Sequence, residues 1–429
     1  MLVAKTLPNL IGGISQQSPP LRLINQLEKQ ENLSASIVNG LQNRDPFILK
    51  SKQDIKEALY VKADRDDTTP YDLLISPTAI TVTDKNGTIT AIQLNAEAQA
   101  YLSLPAGVSP RNAYKTLTLA DSTFILNKTK TAALTAAASA PWKNQAIVFI
   151  KQVAASTTWT LNIDGIQVSV GYGGANNDTG LPDLYVNGTK VQDDVNMSTQ
   201  DIAERLAAGI AAVSNGSYTI TQAASTLWIR RADSGTFTIA LADTRSSSYS
   251  YLVTSKIQKF SELPTVAPDG YICKVVGDIA SSADDYYVRF EANDTGTFKK
   301  GVWVECAEPG QRNTIDSTTM PHILTHEANG SWTFSEIDWT DRLTGDEDTN
   351  PTPSFIGAQI QSIFLFRNRL CLLANDVLCM SAAADHTNWF NETSITLSDA
   401  DPIYLAASTD SLAALFDFGI LQDTLVLFS

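Results

Sequence analysis

The sequence predicts a mainly β protein with propeller-like blades and one α+β insertion. Three observations carry that prediction. Short apolar segments alternate with polar residues and are separated by tight turns. A single stretch, 199–213, repeats its apolar residues convincingly at helical spacing. Between about 145 and 255 the texture changes to strand, strand, helix, strand, strand, the pattern of a small α+β module. With 429 residues and 43% hydrophobic content, the chain can hold two or three domains or one large β domain with insertions. The expected divisions are an N-terminal arm at 1–50, β-hairpin blades at 51–144, the inserted domain at 145–255 and further blades at 256–429.

In chain order, the first feature is Asn9-Leu-Ile-Gly-Gly-Ile-Ser-Gln-Gln17. Gly12 and Gly13 tolerate positive φ, and Ser15, Gln16 and Gln17 supply neutral donors and acceptors around Ile14. Pro19 and Pro20 keep the next residues extended. Such a polar, bent arm lies across its own domain, docks on a neighbouring subunit, or is an unstructured terminus. Residues 28–33 read as a helical turn, and 40–44 as a turn ahead of a strand at 47–49. Strands follow at 71–75, 79–83 and 88–94, with Ile89, Ala91 and Gln93 sharing a face. Asp84-Lys-Asn-Gly87 turns between the last two of these strands. A hairpin at 114–119 and 123–127 turns at Ala120-Asp-Ser122. Residues 129–140, rich in Ala and Thr, read as a linker closed by Pro141.

The insertion opens with strands at 146–150, 159–163 and 166–170, and Asp164-Gly165 makes a turn. Gly171-Tyr-Gly-Gly174 reads as a hairpin end, because no helix starts directly after it to hold an anion. Ser198 caps the helix, Asp201 answers its dipole, and Ile202, Leu206, Ile210 and Val213 form its apolar stripe. Strands at 217–221 and 226–230 close the unit. Beyond it, 286–292 and 301–305 pair across 293–296, and 341–353 is an acidic loop. Strands at 360–366, 369–374 and 377–381 form a blade-like meander, although no period of about 40 residues spans the chain. Within it Arg367 and Arg369 alternate, facing one side while Phe366 and Asn368 face the other. That pair either lies on a solvated face, pairs with internal carboxylates, or contacts a neighbouring subunit. The chain stops at 429 inside an apolar strand, whose unpaired edge would be exposed, so a C-terminally truncated chain is expected.

No catalytic set emerges. The three histidines are few for acid–base work; His322 and His326 follow Pro321 in strand-like surroundings, and His386 sits in a polar loop. No metal and no cofactor is expected from them. Neither Asp346-Glu-Asp348 nor Asp399/Asp401 has the arrangement of carboxylates facing across a cleft that glycoside hydrolysis needs. Asp399-Ala-Asp-Pro402 reads instead as a turn ahead of a strand at 403–407. Cys273, Cys306, Cys371 and Cys379 lack zinc-site spacing and read as reduced core thiols. No window approaches the ~18 apolar residues of a membrane span, and no leader-like apolar region opens the chain, so synthesis in the cytosol is expected.

Asn9, Leu10, Gly12 to Gln17, Arg22, Gln30, Asn32, Gly40 to Arg44 and Pro46 resemble the opening of the tail tubular protein B family, the tail-nozzle proteins of short-tailed bacteriophages. The resemblance recurs in family order at 117–127, 286–290 with 303–306, 320–324, 353–357 with 363–370, and 397–403. The stretch 145–255 matches loosely, and family members are considerably longer. The resemblance implies a structural virion protein of the phage tail, assembled in the host cytoplasm, with a β-propeller fold carrying inserted domains. It implies a hexameric nozzle joined to tail tubular protein A, the adaptor, which also helps hold the tail fibres and whose bore passes double-stranded DNA at ejection. On that footing the assembly candidates are Gly12, Gly13, Ile14, Ser15, Gln16, Gln17, Arg22, Arg44, Arg367 and Arg369.

The net charge of −15 is uneven. Residues 1–60 hold seven bases and five acids (+2), whereas 261–350 hold six bases and seventeen acids (−11). Such a surface does not bind nucleic acid by counterion release. The acids either keep the protein soluble or line the channel, where they repel phosphate; Asp346, Glu347 and Asp348 are the lumen candidates. Two other functions remain open: a tail-associated polysaccharide hydrolase and a host-surface adhesin.

Overall fold

The computed structural model describes residues 4, 9–49, 51–53, 57–64, 70–175, 181–193, 195–277, 285–293, 296, 298–407 and 414–429. The chain divides into two units, Met1–Asp54 with Thr83–Ile89, and Ile55–Val82 with Thr90–Ser429.

The first unit has little regular structure. Pro19–Leu21 is a 3-10 turn, and Leu33–Ser36 pairs with Gly40–Asn43 in a two-stranded hairpin. This differs from the helical turn and later strand that local composition suggests; residues 44–49 form no strand. The four-residue strands satisfy their backbone groups against each other, a choice that propensity alone does not reveal.

Three four-stranded sheets are simple meanders, and apart from Thr83–Ile89 of the first sheet their residues belong to the second unit. One runs Leu59–Asp64, Pro70–Ile75, Ile80–Asp84, Ile89–Ala91 in order. Its third turn is set by Asp84, whose Oδ1 accepts from the backbone N–H of Asn86 (2.9 Å) and Thr88 (2.8 Å). The last strand is shorter than expected, and Ile92, not its exposed neighbours, reaches the core. The second sheet joins Tyr114–Leu119 and Ser122–Asn127 to His322–His326 and Trp332–Ser335. Its first hairpin turns through Ala120, in the left-handed region at φ 50°. The third runs Ile360–Phe366, Arg369–Ala374, Val377–Met380, Ile403–Ala406, the predicted meander plus a fourth strand. A terminal hairpin pairs Asp417–Leu421 with Thr424–Phe428.

These sheets pack in sequence. Ile125, Leu324 and Phe334 of the second meet Leu73, Ile75 and Ile80 of the first in one core. Phe124 and Leu126 meet Ile363, Leu370 and Leu372 of the third in another. Phe364 and Leu378 then meet Phe418 and Leu425 of the hairpin, with the Phe364 and Phe418 rings stacked at 3.9 Å. The first strands of successive sheets also touch one another, Leu59–Asp64 with Tyr114–Leu119, that strand with Ile360–Phe366, and the last with Asp417–Leu421.

Everything between Asn127 and His322 interrupts the second meander. The expected linker is an extended segment pinned to the core: Ala132 is buried, and Thr131 and Leu134 bridge to Gln359 and Ile315. The inserted module packs a five-stranded and a four-stranded sheet with the helix Thr199–Val213 around one core. Thr157–Ile163 alternates buried and half-buried residues without a break. Gly171 to Gly174 lie inside the strand Ile166–Ala175 and not at a hairpin end. A Cβ on Gly173 would stand 3.2 Å from the Asp183 carbonyl oxygen and 3.1 Å from the Tyr185 ring. The helix carries a full capping box: Ser198 and Asp201 exchange backbone and side-chain bonds. Ile202, Leu206 and Ile210 are buried, but Val213 at the last turn is half exposed. Ser198→Ala is expected to destabilise the module by about 1 kcal/mol in chemical denaturation.

A five-stranded sheet follows, in which Tyr286–Ala292 pairs with Phe298–Cys306. The predicted turn between them includes 294 and 295, outside the described residues. Its core includes Ile147 and Val253 from the module as well as Cys273, Val288 and Phe290.

Candidate functional site

Three sets of residues are candidates for a functional role. The first is the N-terminal arm. It folds back on its own unit: the Ser15 and Gly12 N–H groups donate to the Leu27 and Asn25 carbonyls at 2.9 and 3.0 Å, and the Leu27 N–H returns a 2.8 Å bond to Gly13. Gly13 has φ 76°, and a Cβ on Gly12 would come within 2.8 Å of the Asn25 oxygen, so this close approach needs glycine. Arg22 donates to Glu28 and to the Gln17 carbonyl, both at 3.0 Å. Gln16 and Gln17 are exposed, and Ser15 is half-buried. Arg44 lies over the Phe47 ring at 4.3 Å. None of the described residues of the arm and its hairpin belongs to a hydrophobic core. Yet Ile37 and Val38 at the hairpin tip are each 89% exposed, Phe47 is 86% exposed, and Leu21, Leu23, Ile48 and Leu49 are exposed as well.

The second set is the acidic loop. Arg342, with no exposed side-chain surface, donates to Glu347 Oε1 at 2.5 Å, and to Gln311 and Thr352 at 3.1 Å. Asp346 is buried and accepts from the backbone N–H groups of Asp348 and Thr349 and from the Tyr287 hydroxyl, each at 3.0 Å. Burial pushes both carboxyls up, but these donors outweigh it and hold them below the usual range. Asn350 and Glu305 tie the loop region to 391–394. Asp348 is exposed. Of the three lumen candidates, Asp346 is turned inward and Glu347 is engaged by Arg342, which leaves Asp348 with its charge in solvent.

The third set corrects the sequence reading. Arg367 and Arg369 do not alternate along a strand. Arg367 and Asn368 form the two-residue turn, at φ 48° and 58°, and Arg367 stays exposed beside Phe366. Arg369 begins the next strand and is buried. Its guanidinium donates to the carbonyls of Asp399 (2.5 Å), Asp401 (2.6 Å) and Ser381 (2.7 Å). It thus clamps the 398–402 turn, which Asp401 also braces by accepting from the Ser398 N–H at 2.7 Å. Composition gave no signal for this clamp, because its partners are backbone atoms.

The histidines and cysteines singled out in the sequence lie in packed surroundings. His322 and His326 share a strand. His322 is buried, stacks on Tyr101 at 3.8 Å, and is pushed down in pKa by burial. His326 packs on Trp332 at 4.5 Å. Among the described residues no group of three potential ligands gathers for a metal. All four cysteines are free and buried, and burial pushes each thiol up to about 12. The folded protein is therefore expected to be inert to a thiol reagent at neutral pH, and the unfolded chain to react at all four. A colorimetric thiol titration with and without denaturant checks this. Among the described residues no helix is long and apolar enough to cross a membrane.

Residues 1–429 match the family described as bacteriophage nozzle protein. The tail tubular protein gp12 of Escherichia phage T7 is 31% identical over 429 residues, covering 96% of this chain and 50% of the phage protein. The chain therefore spans about half the length of that curated relative.

Proposed function

The chain belongs to the bacteriophage nozzle protein family, a family of structural tail proteins and not of enzymes; from that premise we propose that it forms the nozzle at the distal end of a phage tail and lines the channel for genome ejection. The observation that carries the assembly part is the N-terminal unit. It exposes Ile37, Val38, Phe47 and their neighbours, and none of its described residues enters a core. Apolar surface of this kind is covered in an assembled partner. In this reading the chain is one subunit of a ring, a hexamer as in the family, that joins the tail adaptor, tail tubular protein A, and the fibres. Gly12 to Gln17, Arg22 and Arg44 belong to the docking unit. Arg367 offers an exposed contact at the outer turn of a sheet, whereas Arg369 acts from inside by holding the 398–402 turn.

The fold proposed for the second unit is a β-propeller interrupted by the 145–255 domain. The successive packing of four-stranded meanders supports it, as does the contact between their first strands. The acidic balance of 261–350 fits a bore that DNA passes without sticking, with Asp348 the candidate whose charge is free to act.

Truncation up to Gln17, followed by light scattering, tests the docking role. The assembled form is expected to be lost while the melting temperature is kept. An unchanged oligomer would remove the arm from the assembly surface.

A further inference from the structure

A recess of about 510 Å³ opens at the root of the inserted module, where 140–145 enters it beside the strand Thr226–Arg231. Its chemistry is unlike the rest of this acidic chain. Trp142 and Trp228 line it, both half-buried, together with Lys143, Arg230 and Arg231.

The positions follow from the strand. Leu227 and Ile229 point into the module core, so Trp228 and Arg230 share the other face. The Arg230 guanidinium lies over the Trp228 ring at 3.6 Å, and the indole N–H is fixed by a 3.1 Å bond to Gln145 Oε1. Arg231 is neutralised by Asp233 through bonds of 2.9 and 2.7 Å. Arg230 has no carboxylate partner among the described residues, and its Nε is buried without a hydrogen bond. Lys143 is exposed at the rim. Asn144 donates to the Ser234 carbonyl at 3.2 Å and closes one wall. The recess thus presents two uncompensated cations and two indoles in a protein of net charge −15.

We propose that this recess binds an acidic oligosaccharide. Trp142 offers flat apolar surface to the face of a sugar ring, while Trp228 carries Arg230 on its ring. Arg230, held in place by stacking, offers a planar fork to a carboxylate, and Lys143 offers a second charge. The mix of aromatic walls and a few placed polar groups is that of a small-ligand site. A nucleic acid fits less well, since it needs a track of cations along its backbone and the recess offers two.

The test titrates the full chain with an oligoglucuronate, a neutral glucose oligomer of equal length, inorganic phosphate and a single-stranded oligonucleotide. Tryptophan fluorescence and calorimetry are the readouts. The oligoglucuronate is expected to bind saturably, with the neutral oligomer and Arg230→Gln each weakening binding by about ten-fold or more, the loss of one charge-assisted pair. Trp142→Ala is expected to weaken binding while Arg230→Lys retains part of it, and a thermal melt confirms that each variant is folded. The proposal is overturned if the oligoglucuronate does not bind, or binds equally to Arg230→Gln. It is likewise overturned if phosphate or the oligonucleotide binds as tightly, which would mark a simple anion or nucleic-acid site.

Discussion

Ile37→Asp combined with Val38→Asp is expected to leave the chain folded and to weaken its assembly by at least about 100-fold. Both side chains stand at the tip of the hairpin Leu33–Ser36/Gly40–Asn43, and neither packs in any core. Their replacement therefore costs the subunit little, within about 0.5 kcal/mol for surface positions. If a partner covers them, burying each aliphatic side chain contributes roughly 1.5–3 kcal/mol, and a buried carboxylate there adds a desolvation penalty. Two such losses exceed the about 2.7 kcal/mol that a 100-fold change requires. Concentration-dependent light scattering measures the effect, and the melting curve serves as the control. Unchanged association would mean that the tip stays in solvent.

Arg369→Met is expected to destabilise the third meander by about 3 kcal/mol, while Arg367→Met changes stability by less than about 0.5 kcal/mol. The two arginines are neighbours in sequence and opposite in environment. Arg369 is buried and donates hydrogen bonds to the carbonyls of Ser381, Asp399 and Asp401. Removing it strands those oxygens near the core and frees the turn that leads into Ile403–Ala406. Arg367 makes one 3.4 Å bond to the Asp423 carbonyl from an exposed turn. Denaturant unfolding of the two variants, with limited proteolysis around 395–402, separates them. Equal effects would show that the clamp contributes little.

What the sequence disclosed was local. The helix Thr199–Val213 was readable because its cap, first-turn acid and apolar spacing all act within a few residues. The hairpin Tyr114–Leu119/Ser122–Asn127 and the meander from Ile360 were readable for the same reason, through alternation and short turns. The pairing of Ser122–Asn127 with His322–His326 was not, because a long insertion separates the partners and no local pattern records it. That pairing matters most for the architecture, since it makes the second meander whole. The first strands of the sheets begin at Leu59, Tyr114, Ile360 and Asp417, and with the stretch between Asn127 and His322 set aside they are spaced nearly evenly. At the candidate site, the family blocks pointed to the arm, but the strand Leu33–Ser36 and the Arg369 clamp depend on backbone partners that composition does not encode. The charge run at 346–348 looked uniform in sequence, yet packing gives its three members different fates.

The measurement that bears most directly on the nozzle account is the mass and shape of the purified chain, alone and mixed with the tail adaptor, by light scattering and negative-stain imaging. The account predicts rings with an open bore, formed either by the chain itself or on the adaptor. A chain that stays monomeric in both samples would contradict it.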